Sequence, residues 1–518
     1  MSSFTRRHFI KTAALATAGA ALSARAWSQV AGANGDIRIG IVGLNGKGRD
    51  HFRFFSAVPG VRIVALCDVD SAVLERAAQT AREAKADVKT YADARELFAS
   101  PEVDAVSIAT PNHQHALQAI WAMQAGKDVY VEKPVSHNLW EGAQLVAAAT
   151  KYHRIVQAGT QSRSSEAIAG AIAWVRAGHV GRITAARMLC YKRRPSIGLT
   201  SGPQAVPATV NYDLWLGPAP LTPLRRARLH YDWHWQWATG NGDIGNQGAH
   251  QIDIARRFLG EPAFAPRVFT IGGRLGYVDD GETPNTLIAV HDYAAAPLIC
   301  EVRGLPAHGT PAAEGGAGGS GPVGTAGAGG TRGAGGRGGG GRGLAGGMDQ
   351  YRGVGIGNVI ECEGGYVVVP ATDYSGAHAC DRDGKVVQEF TGVSSHYANF
   401  VAAVRSRKTS DLHAPIHEGY VSTGLCHTTN ISYELGRAAP AGEVRERIKG
   451  DAALAEGFGR MAEHLASNGL DLAKTPATLG LPVTLDAQAG RFTGEGAAAA
   501  NALLTREYRA PFVVPRLV

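Results

Sequence analysis

Between positions 37 and 158, short runs of β-branched and apolar residues alternate with longer amphipathic stretches. The runs at 37–42, 61–68, 105–108, 128–131 and 155–158 predict strands, and the stretches at 71–86, 113–125 and 136–152 predict helices. Runs this uniformly apolar are buried on both faces, as in a parallel sheet with covering helices. The alternation predicts a doubly wound α/β domain over 36–158. After about residue 159 the rhythm changes. One helix near 167–177 precedes strand-like runs at 183–191, 268–273, 286–291, 298–303, 359–362 and 366–369, and helices return at about 397–406 and 418–435. These spacings predict an α+β domain over 159–437, an open, mostly antiparallel sheet with helices on one face. The remainder, 438–518, reads as a helical, Ala-rich tail whose end at 508–514 is apolar enough to pack back on the body.

Two segments stand outside this pattern. Thr5-Arg6-Arg7-His8-Phe9-Ile10-Lys11, an Ala-rich stretch and Ala24-Arg25-Ala26 resemble a twin-arginine export signal over 1–26. The stretch is shorter and less apolar than the roughly 20 residues an anchor needs, so a periplasmic protein without stable membrane insertion is expected. Residues 309–347 are dominated by glycine, which loses the most entropy on ordering and has no apolar area to bury in return. They read as a disordered insertion between two strands.

The formal charge of +7 sits largely in these two segments. The rest lies within about one or two charges of neutral, which leaves no footprint for nucleic acid. The six cysteines are scattered without metal-binding spacing. One disulfide is open to them in an oxidising compartment, with no pairing indicated. The pairs His113/His115 and His230/His234 lack a carboxylate set to complete a metal site, so no metal is expected.

The first strand runs into Gly43-Leu44-Asn45-Gly46-Lys47-Gly48. Glycines there permit a tight turn and close approach of a pyrophosphate to the next helix's N–H groups. Asn45 stands where the G-x-G-x-x-G pattern has its second glycine. The second strand ends at Asp68, where a carboxylate accepts ribose hydroxyls and repels a 2′-phosphate, favouring NAD over NADP. Thr110, Asn112 and His115 follow the strand at 105–108, where loops at the carboxyl ends of strands form the ligand crevice. Glu132-Lys133-Pro134 ends the strand at 128–131. Pro134 pushes Lys133 toward extended geometry, and an ammonium beside a nicotinamide can bond a substrate hydroxyl and stabilise a developing alkoxide.

The glycine turn, the acid ending the second strand, T-P-N-x-x-H and E-K-P, in this order, resemble the glucose–fructose oxidoreductase / inositol dehydrogenase / MocA family over about 37–435. The resemblance implies an NAD(P)-dependent oxidoreductase moving hydride between the cofactor and a hydroxyl-bearing carbon of a sugar or sugar derivative, and the expected export, to where free nicotinamide dinucleotide is scarce, calls for that cofactor to be tightly held. It also implies a substrate-domain Asp followed four residues later by His. Here His250 holds the histidine position and Asn246 replaces the aspartate. By resemblance, Lys133 and His250 handle the hydroxyl proton. Four residues apart on one helix, Asn246 and His250 share a face. Losing the carboxylate removes a charge that raises an imidazole pKa, and Asp243 or Asp253 is open to substitute for it. The alternation Trp233, Trp235, Trp237 suits a pleated, sugar-stacking surface or simple packing.

Two further readings stand beside sugar oxidoreduction. One is redox-neutral glycoside hydrolysis or elimination through a transient keto-sugar. The other is a non-catalytic carbohydrate-binding scaffold, against which intact Lys133 and His250 count. An open sheet with one bare face also predicts a homo-oligomer.

Overall fold

The computed structural model describes residues 35–307 and 347–518, so the leader at 1–26 and nearly all of the Gly-rich insertion lie outside the described residues. In the first domain, β1 (Ile37–Val42), β2 (Val61–Cys67), β3 (Lys89–Tyr91), β4 (Ala105–Ile108), β5 (Asp128–Val131) and β6 (Val156–Ala158) form a six-stranded sheet ordered 3-2-1-4-5-6. Every pairing is parallel. Helices α1 (Lys47–Ser56), α2 (Ser71–Glu83), α3 (Ala94–Ala99), α4 (His115–Gln124) and α5 (Leu139–Lys151) connect the strands. All four residues of β4 and of β5 are buried, as doubly covered strands require. The order reverses between β1 and β4, and the carboxyl ends of these two strands open the crevice where such sheets take ligands. The short edge strand β3, Lys-Thr-Tyr, is too polar and brief for periodicity to reveal.

Helix α6 (Glu166–Arg176) leads into β7 (Ile183–Tyr191), the centre of a larger sheet. Its other main strands are β8 (Arg267–Gly273), β9 (Thr286–His291), β10 (Leu298–Arg303), β11 (Ile356–Cys362), β12 (Gly365–Pro370), β13 (Gly376–Asp381) and β14 (Val386–Thr391). The β7–β10 pairing is parallel; the other pairings in this sheet are antiparallel. The undescribed segment falls between β10 and β11.

Three features differ from the sequence reading. The tail is not simply helical: β15 (Arg437–Ala439), β16 (Ala477–Leu479), β17 (Val483–Asp486) and β18 (Arg491–Thr493) extend the same sheet. Nor are helices confined to one face. α6, α7 (Gly242–Asn246), α8 (Gly248–Leu259) and the later α10 (Ile416–Glu434) cover one side. On the other, Leu454, Phe458, Met461 and Leu465 of α12 (Ala452–Ser467), which follows α11 (Ala441–Ile448), pack against Ile288, Val290 and Ile299. Burying such side chains contributes about 1.5–3 kcal/mol each. The chain's own tail helix thus covers sheet surface that had been assigned to a partner subunit, and the oligomer argument loses that premise. Third, α9 (His396–Ser406) returns to the first domain, where Tyr397, Phe400 and Val401 pack on Ile39, Ile41 and Phe55. Phe512 and Val514 seal the opposite side of that domain.

Candidate functional site

The turn after β1 is shaped by contacts only glycine permits. Gly43 has φ +84°, and a Cβ there would sit 2.6 Å from the backbone nitrogen of Thr110. A Cβ on Gly48 would lie 1.8 Å from the Gly43 carbonyl oxygen. Gly46, by contrast, faces open space and caps α1 without any side-chain bond. The first turn of α1 is therefore presented to the crevice, as a pyrophosphate requires. Asn45 is exposed at the apex of the turn. The Asp68 carboxylate accepts from Leu44 N at 2.8 Å and Asp70 N at 3.0 Å. Burial raises its pKa while these two N–H groups oppose the rise. A carboxylate offers about four acceptor positions, so capacity remains for ribose hydroxyls. The cradle fits a dinucleotide. Gly48→Ala is expected to weaken NAD binding by about tenfold or more through loss of this close approach, read by NAD titration beside a thermal melt.

Glu132 and Lys133 extend from β5 in different directions. Glu132 is buried, accepting from His51 Nε2 at 3.0 Å, Gln161 Nε2 at 2.8 Å and Lys133 N at 3.2 Å. Burial works against its ionisation, but the His51 hydrogen bond and the charges of His51, Lys47 and Lys133 together outweigh it and hold the carboxyl low. Glu132 is thus a structural anchor behind the lysine. Lys133 Nζ crosses to the second domain and donates to the Asn246 carbonyl oxygen. Burial, partly offset by Glu132 and reinforced by Lys192, Lys47 and Arg194, pushes its pKa down to about 8.

Two of the expected crevice residues act as ties. His115 places Nδ1 2.7 Å from the Pro134 carbonyl and Nε2 2.7 Å from that of Thr110, joining the ends of β4 and β5. Asn112 Nδ2 donates to Asn241 Oδ1 at 2.8 Å and links the domains. The Thr110 hydroxyl donates to Gln118 Oε1 at 3.1 Å.

His250 and Asn246 do not share one continuous helix. α7 ends at Asn246, and α8 starts at Gly248 after a break at Gln247. The Asn246 amide donates to Asp243 Oδ1 at 3.4 Å. Neither alternative acid bonds His250. Asp243 grips Arg194 through two bonds of 2.7 and 2.6 Å, and Asp253 is held by Arg163 and by Ser422 Oγ at 2.7 Å. His250 is buried, and its Nδ1 has no partner among the described residues. Burial first, then the charge of Lys133, pushes its pKa down to about 3. It is a neutral imidazole with a ring nitrogen to offer.

The alternating tryptophans are not on a strand, because Asp232–Trp235 forms a 3-10 turn. Trp233 stacks on His234 at 3.6 Å, and buried Trp235 carries the Arg194 guanidinium 5.1 Å from its ring centroid. Arg194 and Lys192 escaped the sequence reading; their only signal was the Lys-Arg-Arg run following β7. All six cysteines are buried and unpaired. Among the described residues no cluster of three metal-ligating side chains forms.

Residues 37–160 match the family model described as "Oxidoreductase family, NAD-binding Rossmann fold", and residues 180–278 match "Oxidoreductase family, C-terminal alpha/beta domain". The first domain is accordingly an NAD-binding Rossmann domain. Inositol 2-dehydrogenase 1 of Saccharopolyspora erythraea is 37% identical over 129 residues, 24% of this chain and 37% of that protein. Glycosyl hydrolase family 109 protein 2 of Shewanella sp. (strain ANA-3) is 34% identical over 171 residues, 29% of this chain and 38% of that protein. These matches span under two fifths of the relatives' own length. The WlbA dehydrogenase from Bordetella pertussis, solved with NADH and UDP-GlcNAcA, is 18% identical with a TM-score of 0.52, over 76% of this chain and 94% of that one. At that identity the likeness concerns the fold.

Proposed function

We propose that this chain is a Gfo/Idh/MocA-family oxidoreductase, a reading its two matched segments support, and that it moves hydride between a retained NAD and a hydroxyl-bearing carbon of a sugar or sugar derivative. The observation carrying this reading is the Lys133 amine. It crosses from the end of β5 to the helix break that precedes His250, whose Nδ1 is unpartnered among the described residues. The glycine turn and Asp68 would hold NAD, which would supply the acceptor for hydride. Lys133, with a pKa of about 8, is substantially neutral near that pH and takes the hydroxyl proton. His250, uncharged, bonds the same hydroxyl and fixes its orientation. The buried Glu132 beside Lys133 stabilises the ammonium that forms.

The leader motif supports export by the twin-arginine route to the periplasm. Free nicotinamide dinucleotide is expected to be scarce there, so the cofactor must stay bound between turnovers. The Shewanella relative, named a glycosyl hydrolase, favours a second reading in which the hydride returns after a transient keto-sugar has been cleaved.

Mass spectrometry of the acid-released supernatant should show NAD rather than NADP. Sugars added without cofactor should then raise the reduced-nicotinamide absorbance. Lasting reduction supports net oxidation, and cleavage without net reduction supports the second reading. No response to a broad sugar panel in NAD-loaded protein sinks both. His250→Ala should lower kcat by about a hundredfold with NAD content retained.

A further inference from the structure

We propose that Lys192 pairs with a carboxylate on the substrate, so that the preferred substrate is a sugar acid. The inference rests on the sugar-oxidoreductase reading and specifies what that site selects.

The backbone beyond β7 stays clamped to the end of β10. Lys192 N donates to the Arg303 carbonyl at 3.0 Å, and Arg194 N to that of Gly304 at 2.8 Å. Lys192 lies within electrostatic reach of Asp243, the acid that Arg194 holds. Its Nζ reaches Gln247 Oε1 at 3.5 Å, one residue beyond the carbonyl that receives Lys133. Two ammonium groups therefore converge on the break between α7 and α8.

The neighbouring charges are accounted for. Arg194 is paired with Asp243, Lys47 with Asp50 at 3.5 Å, and Lys133 lies beside ionised Glu132. Among the described residues Lys192 forms no ion pair, and its hydrogen bond to Gln247 is at the limit of length. A half-buried ammonium with one weak contact is costly to hold. Burial and then Arg194 lower its pKa, so an anion placed beside it relieves both desolvation and repulsion. Asp243 partly opposes that fall but is already gripped by two bonds from Arg194, and the single positive charge left over matches a carboxylate monoanion; a phosphate ester, carrying about −1.5 to −2, asks for more. The glycine turn lies on the cofactor side of the crevice, leaving Lys192 on the substrate side with Gln247.

The test measures binding to NAD-loaded protein by tryptophan fluorescence and calorimetry, using glucose/glucuronate, galactose/galacturonate and mannose/mannuronate, with glucose 6-phosphate as a third ligand. At least one hexuronate should bind about tenfold more tightly than its neutral partner, and salt should erode that preference. Lys192→Gln should abolish it and Lys192→Arg keep it, both with unchanged NAD content. Equal binding within every pair overturns the proposal, as does tighter binding of the phosphate ester or persistence of the preference in Lys192→Gln. The wild-type comparison needs no variant to fold. Binding is read without turnover: a hexuronate preference without NAD reduction would count against the redox reading alone, and reduction by neutral sugars without a preference against Lys192 alone.

Discussion

Lys133→Met is expected to cut turnover of any sugar that reduces the bound cofactor by about a thousandfold or more, combining loss of a proton acceptor with loss of alkoxide stabilisation. Methionine keeps an unbranched stem and removes only the amine, so NAD content should hold near the wild-type level. The pH profile separates this from a structural effect. The wild-type oxidation rate should rise with pH and level off above about 8, where the amine is neutral; in Lys133→Met the step should vanish. Stability also rises with pH, over a higher window. The folded pKa lies below the unfolded value of 10.5, so between about 8 and 10.5 the unfolded chain binds more protons and stability rises with pH. Below about 8 the full cost of a buried ammonium remains. Lys133→Met removes that cost and should melt no lower than the wild type at neutral pH. Full activity in the variant, or a pH step surviving in it, would remove Lys133 from the chemistry.

Legibility followed the range of the interactions involved. Gly43, Gly48 and Asp68 were readable because one local motif, a strand, a turn and a helix, demands them within a few dozen residues. Lys133 was readable because a proline follows it at a strand end. What escaped depends on distant partners. The helix interruption at Gln247 hides within a stretch whose periodicity runs through it. Trp233 and Trp235 alternate as a strand would, yet their backbone is a 3-10 turn whose Trp235 ring meets Arg194, from another segment. Strands β16 to β18 are three or four residues long and are held by pairing with each other, with β15 and with β8. Asn112 and His115 follow the carboxyl end of β4 as expected, but their side chains are spent on Asn241 and on the Pro134 and Thr110 carbonyls. Position along a strand end was legible; the direction of each side chain was not.

Arg163→Met is expected to destabilise the second domain by about 3–5 kcal/mol, the scale for stripping one partner from a buried pair. Asp253 has a fully buried side chain and receives three bonds from Arg163, none longer than 3.0 Å. Without them it keeps Ser422 and a more distant Arg256 at 3.8 Å, which leaves a buried carboxylate undercompensated. The double variant Arg163→Met/Asp253→Asn should recover part of the loss, because the charge goes with its partner. Arg182→Met is the control. Its pair with Glu363 is exposed, with Arg182 88% accessible, and its loss should leave stability essentially unchanged. Burial raises the pKa of Asp253, yet Arg163, together with the charges of Arg256 and Arg257, outweighs it and the net shift is downward. The stability it confers is therefore complete above its unfolded value of 3.8 and is lost as pH falls through the lower folded value. Urea titration followed by tryptophan fluorescence reads all three variants, and a loss for Arg163→Met no larger than the control's would disprove the pairing. Activity should follow stability here, because Asp253 lies one helical turn beyond His250 on α8. The ion pair anchors the turn that follows the imidazole, so the Arg163 variant should lose kcat before it unfolds.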